Sequence, residues 1–354
     1  MGQSAPVEWF ELAMSLLLIL LSAELFTNGI EWVGERFGLS EGAVGSVLAA
    51  VGTALPETLL PLVAIFLGHG TSGKDIGIGA ILGAPFMLPT LAMFVLGLSV
   101  LIFARGGRRS TDLHGNRRVL LQDLGYFLVM YALAVVAGLF HPVWFKWALA
   151  AALLIGYAIY VWRHFASPAE KVEEAEAVGE IRPLHLLRLT RVARRAAAIG
   201  DAPTAPPAWA SMTQVVLALI GILAGARVFV LGVDTIARVF HVPQLALALL
   251  IAPVATELPE KFNSVIWARH GKDTLALGNI TGAMVFQASF PVTVGLLLTP
   301  WHLTGDALVS ALVALAAGSV LWLTLRFRGK LSASLLLAQG ILFAGYVSFV
   351  LSRL

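Results

Sequence analysis

Two nonapeptides decide how this chain is built: AAVGTALPE at residues 49–57 and APVATELPE at residues 252–260. Each sets a proline and a glutamate in the middle of an apolar run, where both are costly. Pro56 and Pro259 cannot donate to the carbonyls of Gly52 and Ala255, so each helix is expected to kink and free carbonyl oxygens. An ionisable side chain at such a position costs about 3 kcal/mol on insertion scales. The two stretches are also copies of each other. At an offset of 203, residues 21–57 align without a gap to residues 224–260. Ala23, Phe26, Phe37, Ala49, Val51, Thr53, Leu55, Pro56 and Glu57 fall on Ala226, Phe229, Phe240, Ala252, Val254, Thr256, Leu258, Pro259 and Glu260. Such self-similarity is the mark of an internal repeat.

The runs around these motifs belong to a membrane. Of 354 residues, 58% are apolar and 13% charged, and the mean hydropathy is +0.85. Soluble domains are closer to 45–50% apolar and about 25% charged, so a soluble globule is excluded. Apolar runs predict ten spans, near 11–33, 41–68, 75–103, 119–139, 143–164, 211–233, 243–268, 274–299, 305–326 and 332–352. Five spans per half is an odd number, so the second half enters the membrane from the opposite side. The fold class expected is therefore an all-α polytopic membrane protein made of two inverted five-helix repeats.

Arg and Lys collect in alternate loops: Arg105, Arg108, Arg109, Arg117 and Arg118; Lys171 to Arg195; Arg269 and Lys272; and Arg326, Arg328 and Lys330. That bias predicts those loops on the cytoplasmic side of the cell membrane and both termini outside. It also accounts for the net charge of +3 without a nucleic-acid partner. Glu8 and Glu11 precede the first run with no Lys or Arg, unlike a cleaved signal peptide, so that run reads as a retained helix. The absence of cysteine removes disulfides and thiolate sites. Residues 1–165 are read as the first repeat, 166–209 as a cytoplasmic linker that starts acidic and turns basic and amphipathic, and 210–354 as the second repeat.

Two carboxylates, freed carbonyls and threonine hydroxyls make an oxygen-only set suited to a hard cation such as calcium. The alternative is a proton-sharing pair of glutamates bracing two kinked helices. Beyond each motif comes a Lys-Asp pair, Lys74-Asp75 or Lys272-Asp273, and then a small-residue pattern: Gly79, Gly83 and Ala84 against Gly278, Gly282 and Ala283. Faces of this kind let helix backbones approach closely.

These motifs resemble the paired Gly-Thr-Ser-Leu-Pro-Glu signatures of the calcium/cation antiporter superfamily, which includes the sodium/calcium exchangers and their prokaryotic relatives. The segment LGNITGA at residues 277–283 is similar to that family's Leu-Gly-Asn-Ile-Ile-Gly-Ser in the eighth span. The resemblance covers the whole membrane portion. It implies a ten-helix exchanger fold in which Glu57 and Glu260 ligate calcium, joined by the carbonyls of Thr53 and Thr256. The cargo would be inorganic cations, with calcium exchanged for sodium or protons and no resident cofactor. The chain departs from the family where a small serine ligand follows each threonine, having Ala54 in one half and Glu257 in the other. It also departs at Ala84 and Leu88, and at Ala283 and Gln287. Side-chain oxygens of the sodium sites are thereby missing, which opens proton coupling as an alternative.

Several polar residues near the motifs admit two readings. Glu257 and Lys261 are spaced to form an ion pair, which is favoured over Glu257 as a third cation-binding carboxylate. Gln287 and Asn279 could add oxygens, or could brace helices, as could Thr281. Glu24 and Arg227, and Glu31 and Asp234, hold equivalent positions under the repeat; the four are expected to form charge pairs between the halves, the alternative being that they line the ion path. The eight histidines fall at span ends or in loops, which disfavours haem or copper chemistry. The function expected is a secondary antiporter exporting calcium or a related divalent cation. The alternatives are a non-transporting membrane scaffold or sensor, or an intramembrane hydrolase using Glu57 and Glu260 as acid and base.

Overall fold

A computed structural model describes residues 5–36, 49–105, 107, 109–140, 142–166, 184–188 and 206–353. They form ten helical rods, numbered here as spans 1 to 10: Ala5–Arg36, Ala49–Leu67, Gly70–Arg105, Arg117–Leu139, Val143–Ala166, Ala208–Phe240, Gln244–Arg269, Asp273–Leu298, Gly305–Arg328 and Ala333–Leu351. The expected boundaries hold to a few residues for most. Spans 1 and 6 are longer than expected, with 32 and 33 residues. Their polar residues sit among enough apolar neighbours to stay helical. Eight rods are long and apolar enough to cross a bilayer. Spans 2 and 7 carry the Pro-Glu motifs, and among the described residues their apolar stretches are shorter, Pro56–Leu67 and Gln244–Val254.

The register of spans 1 and 6 displays the inversion. Gly29 meets Val215, Gly221 meets Ser22, Gly225 meets Ile19, and Gly232 meets Leu12. Rising numbers on one helix match falling numbers on the other, so repeat-related helices run antiparallel. The glycines are needed for this close approach. A Cβ at Gly225 would lie 2.8 Å from the Ile19 side chain. The pair stands to one side of the molecule, joined through Phe229, Val233, Leu60 and Ala64 to spans 2, 3 and 7. Spans 3, 4, 5, 8, 9 and 10 share the larger core, around Phe86, Phe127, Tyr131 and Trp301.

The loops divide between two faces. On one, β1 (Asp112–Leu113) pairs antiparallel with β2 (Leu331–Ser332). There Arg109 reaches Asp273 at 2.8 Å and the Ala268 carbonyl at 2.6 Å, closing span 7's last turn. On the opposite face, Leu303 N donates to the Gly138 carbonyl at 3.2 Å, and Arg353 pairs with Asp306 at 3.1 Å. The connections after spans 3, 7 and 9 thus share one face, as the charge bias requires. Most of the linker lies outside the described residues. Its segment 184–188 includes a helical turn, His185–Arg188, held by Asn28 of span 1 and Gln214 of span 6. Asn28 accepts from His185 N at 3.0 Å, and Gln214 accepts from Leu186 N at 2.7 Å.

Candidate functional site

Spans 2, 3 and 7 enclose one pocket, lined by Glu57, Leu60, Pro61, Ala80, Ala84, Ala252 and Thr256. The acid of the first motif and the threonine of the second therefore share a cavity. Glu57 is 6% exposed. Pro56 and Pro61 interrupt the amide ladder of span 2, as Pro253 and Pro259 do in span 7. The Thr256 hydroxyl donates to the Ala252 carbonyl at 3.3 Å. The side chains of Thr53 and Glu260 lie outside the described residues, although their backbones belong to spans 2 and 7. The wall from span 3 is bare methyl, Ala80 and Ala84, where the family pattern places a hydroxyl. Among the described residues no three acids or histidines converge on one point. Among the described residues, the pocket's side-chain oxygens are the Glu57 carboxylate and the Thr256 hydroxyl, beside the carbonyls that the prolines release.

Glu257 points elsewhere. It is fully buried and accepts from the Gln287 amide at 3.1 Å, so span 8 meets span 7 through two residues each considered as an added ligand. The Lys261 side chain expected to neutralise Glu257 lies outside the described residues. Asn279 donates to the buried Ser264 hydroxyl at 3.0 Å, bracing spans 7 and 8. It lies eight residues from Gln287, about 12 Å along the helix, so those two do not meet at one centre. Of the pairs expected between the halves, Glu24 lies 3.6 Å from His185. Arg227 bonds the Leu67 carbonyl, and Asp234 accepts from Arg238 at 2.6 Å and from Ser72. The antiparallel register explains this: Glu24 faces the level of residue 220, about 10 Å from Arg227.

Spans 3 and 8 are broken at equivalent points. Span 3 passes through a π-helical segment, Leu88–Ala92, and span 8 is interrupted at Ala288 and Ser289, between Asp273–Gln287 and Phe290–Leu298. Local hydroxyls fill the gaps: Thr90 donates to the Phe86 carbonyl at 2.6 Å and Ser289 to that of Val285 at 2.9 Å. Such interruptions beside a cavity are typical of transporter helices. Their packing differs. A Cβ on Gly79 or Gly83 would overlap the carbonyl oxygens of Leu245 and Leu249 of span 7. On Gly278 it would meet nothing within 4 Å among the described residues, and on Gly282 only the Tyr160 hydroxyl, at 3.7 Å.

One polar residue escaped the sequence reading. Asp123 of span 4 is 2% exposed and accepts from Thr281 at 2.6 Å and from Tyr160 at 3.1 Å. The signal was an acid at the fifth position of an apolar run, without the repeat partner that makes Glu57 and Glu260 conspicuous. Outside the membrane, Asp112 bonds Lys330 at 2.5 Å. That hydrogen bond holds the Asp112 carboxyl below its usual range.

The chain is similar to other membrane proteins over nearly its whole length. It is 24% identical over 318 residues to Inner membrane protein YrbG of Escherichia coli (strain K12), covering 88% of this chain and 87% of that one. Among solved structures, the H+/Ca2+ exchanger CAX superposes with a TM-score of 0.66 at 16% identity, covering 98% of this chain and 87% of that one. The sodium-calcium exchanger NCX_Mj superposes with a TM-score of 0.54 at 21% identity, covering 96% and 97%. These two likenesses establish the fold. The profile of the family described as "Sodium/calcium exchanger protein" matches residues 7–166 and 210–353, which span both repeats. The chain therefore belongs to the sodium/calcium exchanger family, whose members are secondary transporters and not enzymes.

Proposed function

We propose that this protein is a cation antiporter that exports calcium, or a related divalent cation, against sodium or protons by alternating access. The observation that carries this reading is the shared pocket: Glu57 of one repeat and Thr256 of the inverted other line the same cavity between two proline-broken helices. Glu57 and Glu260 would be the carboxylate ligands, with Thr53 and Thr256 adding backbone oxygens. Glu257, Gln287 and Asn279 support the site from beside it. An oxygen-only donor set of this kind suits a hard divalent ion. When the divalent ion leaves, buried carboxylates need replacement positive charge, which protons or sodium supply. The apolar wall of Ala80 and Ala84 offers sodium no side-chain oxygen, which favours the proton.

The test is calcium flux into liposomes holding the purified protein, driven separately by a sodium gradient and a pH gradient. Flux with the pH gradient is expected, lost in Glu57→Gln and in Glu260→Gln. Flux surviving both substitutions would overturn the site. Absence of flux under either gradient would point to the scaffold alternative.

A further inference from the structure

The carboxylate of Asp123 belongs to no part of the pocket. It sits in span 4, six residues after Arg117, about 9 Å along the helix from the face carrying the Arg109–Asp273 pair. A carboxyl group in an apolar span is costly and is commonly retained for function. Two of its partners come from other spans: the Tyr160 hydroxyl of span 5 and the Thr281 hydroxyl of span 8. Both bonds are direct, at 3.1 and 2.6 Å, so each hydroxyl donates straight to the carboxylate that would take the proton.

The cluster is also built to accommodate either protonation state. As carboxylate, Asp123 accepts from both hydroxyls. As carboxylic acid it must donate one bond, and a hydroxyl can turn from donor to acceptor. Thr281 has somewhere to send its own proton, since its Oγ lies 3.4 Å from the Gly278 carbonyl. Charge-assisted bonds are about twice as strong as neutral ones, so protonation loosens the tie between span 8 and spans 4 and 5. That tie lies on the uncovered side of Gly278 and Gly282, six residues from Gln287, whose amide holds Glu257.

We propose that Asp123 is a second membrane-buried proton site, separate from the Pro-Glu pocket, which exchanges protons with the face where span 4 begins and so sets how tightly span 8 is held. The charged and titratable groups on the packed elements are Lys146, Tyr157, Tyr160, Arg163 and His164 on span 5. Span 8 begins with Asp273, paired to Arg109 and preceded by Lys272. Span 9 carries Asp306 at its start and Arg326 and Arg328 at its end, and span 4 itself carries Arg117, Arg118, Tyr126 and Tyr131. Uptake adds one proton from water and neutralises one charge; no other group changes oxidation or bonding. The effect on flux rests on the antiport reading, whereas the protonation itself does not.

The test has two arms. Infrared difference titration of the purified, calcium-free protein should show a carboxylic C=O band on acidification that is absent in Asp123→Asn and kept in Glu57→Gln. The band should shift in frequency in Thr281→Val and Tyr160→Phe, which also serve if Asp123→Asn does not fold. In liposomes, Asp123→Asn should reduce the pH response of calcium flux at least about twofold from the wild type, the remainder coming from the pocket carboxylates. The half-saturating calcium concentration should stay within about threefold, and Asp123→Glu should restore the pH response. An unchanged band in Asp123→Asn, or unshifted bands in Thr281→Val and Tyr160→Phe, overturns the proton site. A lost band with an unaltered flux profile overturns the control of span 8. A titrating band in a protein without flux leaves the proton site standing and removes the antiport reading.

Discussion

Span 3 and span 8 carry the same backbone plan with different chemistry. Gly79, Gly83 and Ala84 match Gly278, Gly282 and Ala283, and both helices break about one turn further on. Between these shared points, Asn279, Thr281 and Gln287 of span 8 stand where span 3 has Ala80, Leu82 and Leu88. Each polar member reaches a different buried partner: Ser264, Asp123 and Glu257. Their apolar counterparts are all buried, Leu82 and Leu88 completely. The repeat thus keeps its architecture through small residues and prolines, while side-chain hydrogen bonding is concentrated in the second half. Inverted halves can exchange conformations without contributing equal chemistry.

The strongest challenge to this contrast is the one carboxylate that the first half brings to the pocket. Glu57→Gln should lower calcium flux by about 100-fold; little change would mean that the second half binds the ion alone. The packing difference is tested next. Gly83→Ala drives a methyl into Leu249 and Pro253 and should cost about 2–3 kcal/mol in detergent thermal stability. Gly282→Ala should cost less than about 0.5 kcal/mol. Equal losses would show the two glycine faces to be packed alike. Copying the first half into the second, Gln287→Leu leaves the buried Glu257 without its amide donor and should cost about 1–3 kcal/mol in denaturant unfolding. Asn279→Ala removes the brace to Ser264 and should cost about 1 kcal/mol by the same measurement.

The smallest effect lies at the loops. The Asp112 carboxyl is lowered by Lys330, so its contribution is present above the ordinary carboxylate range and lost as pH falls through the lowered value. Lys330→Met should remove that component from a pH series of thermal melts, and salt should weaken it in the wild type.

Hydropathy and the repeat made ten spans and their inversion legible, because apolar runs and an odd span count are properties of the string itself. Glu57 and Thr256 were legible for the same reason: an acid and a proline in an apolar run announce a cost that must be offset. What pairs across helices was not. Glu24 and Arg227 are equivalent by offset, yet antiparallel packing moves equivalent residues apart unless they lie at the crossing point. Glu257 accepts from Gln287 thirty positions away, a contact that no spacing rule along one helix offers. Asp123 lacked a twin, so symmetry could not point to it.

The unusual length of spans 1 and 6 has a consequence for the surrounding lipid. At 32 and 33 residues each is about 48–50 Å long, against a hydrocarbon layer of about 30 Å. Exposed apolar side chains run from Trp209 to Phe240 on span 6, about 46 Å, and from Val7 to Leu21 on span 1, about 21 Å. A rod apolar over the length of span 6 leans across the layer or thickens it locally. Acyl-chain length becomes a mechanical input at the helix pair that packs directly on the pocket-forming spans.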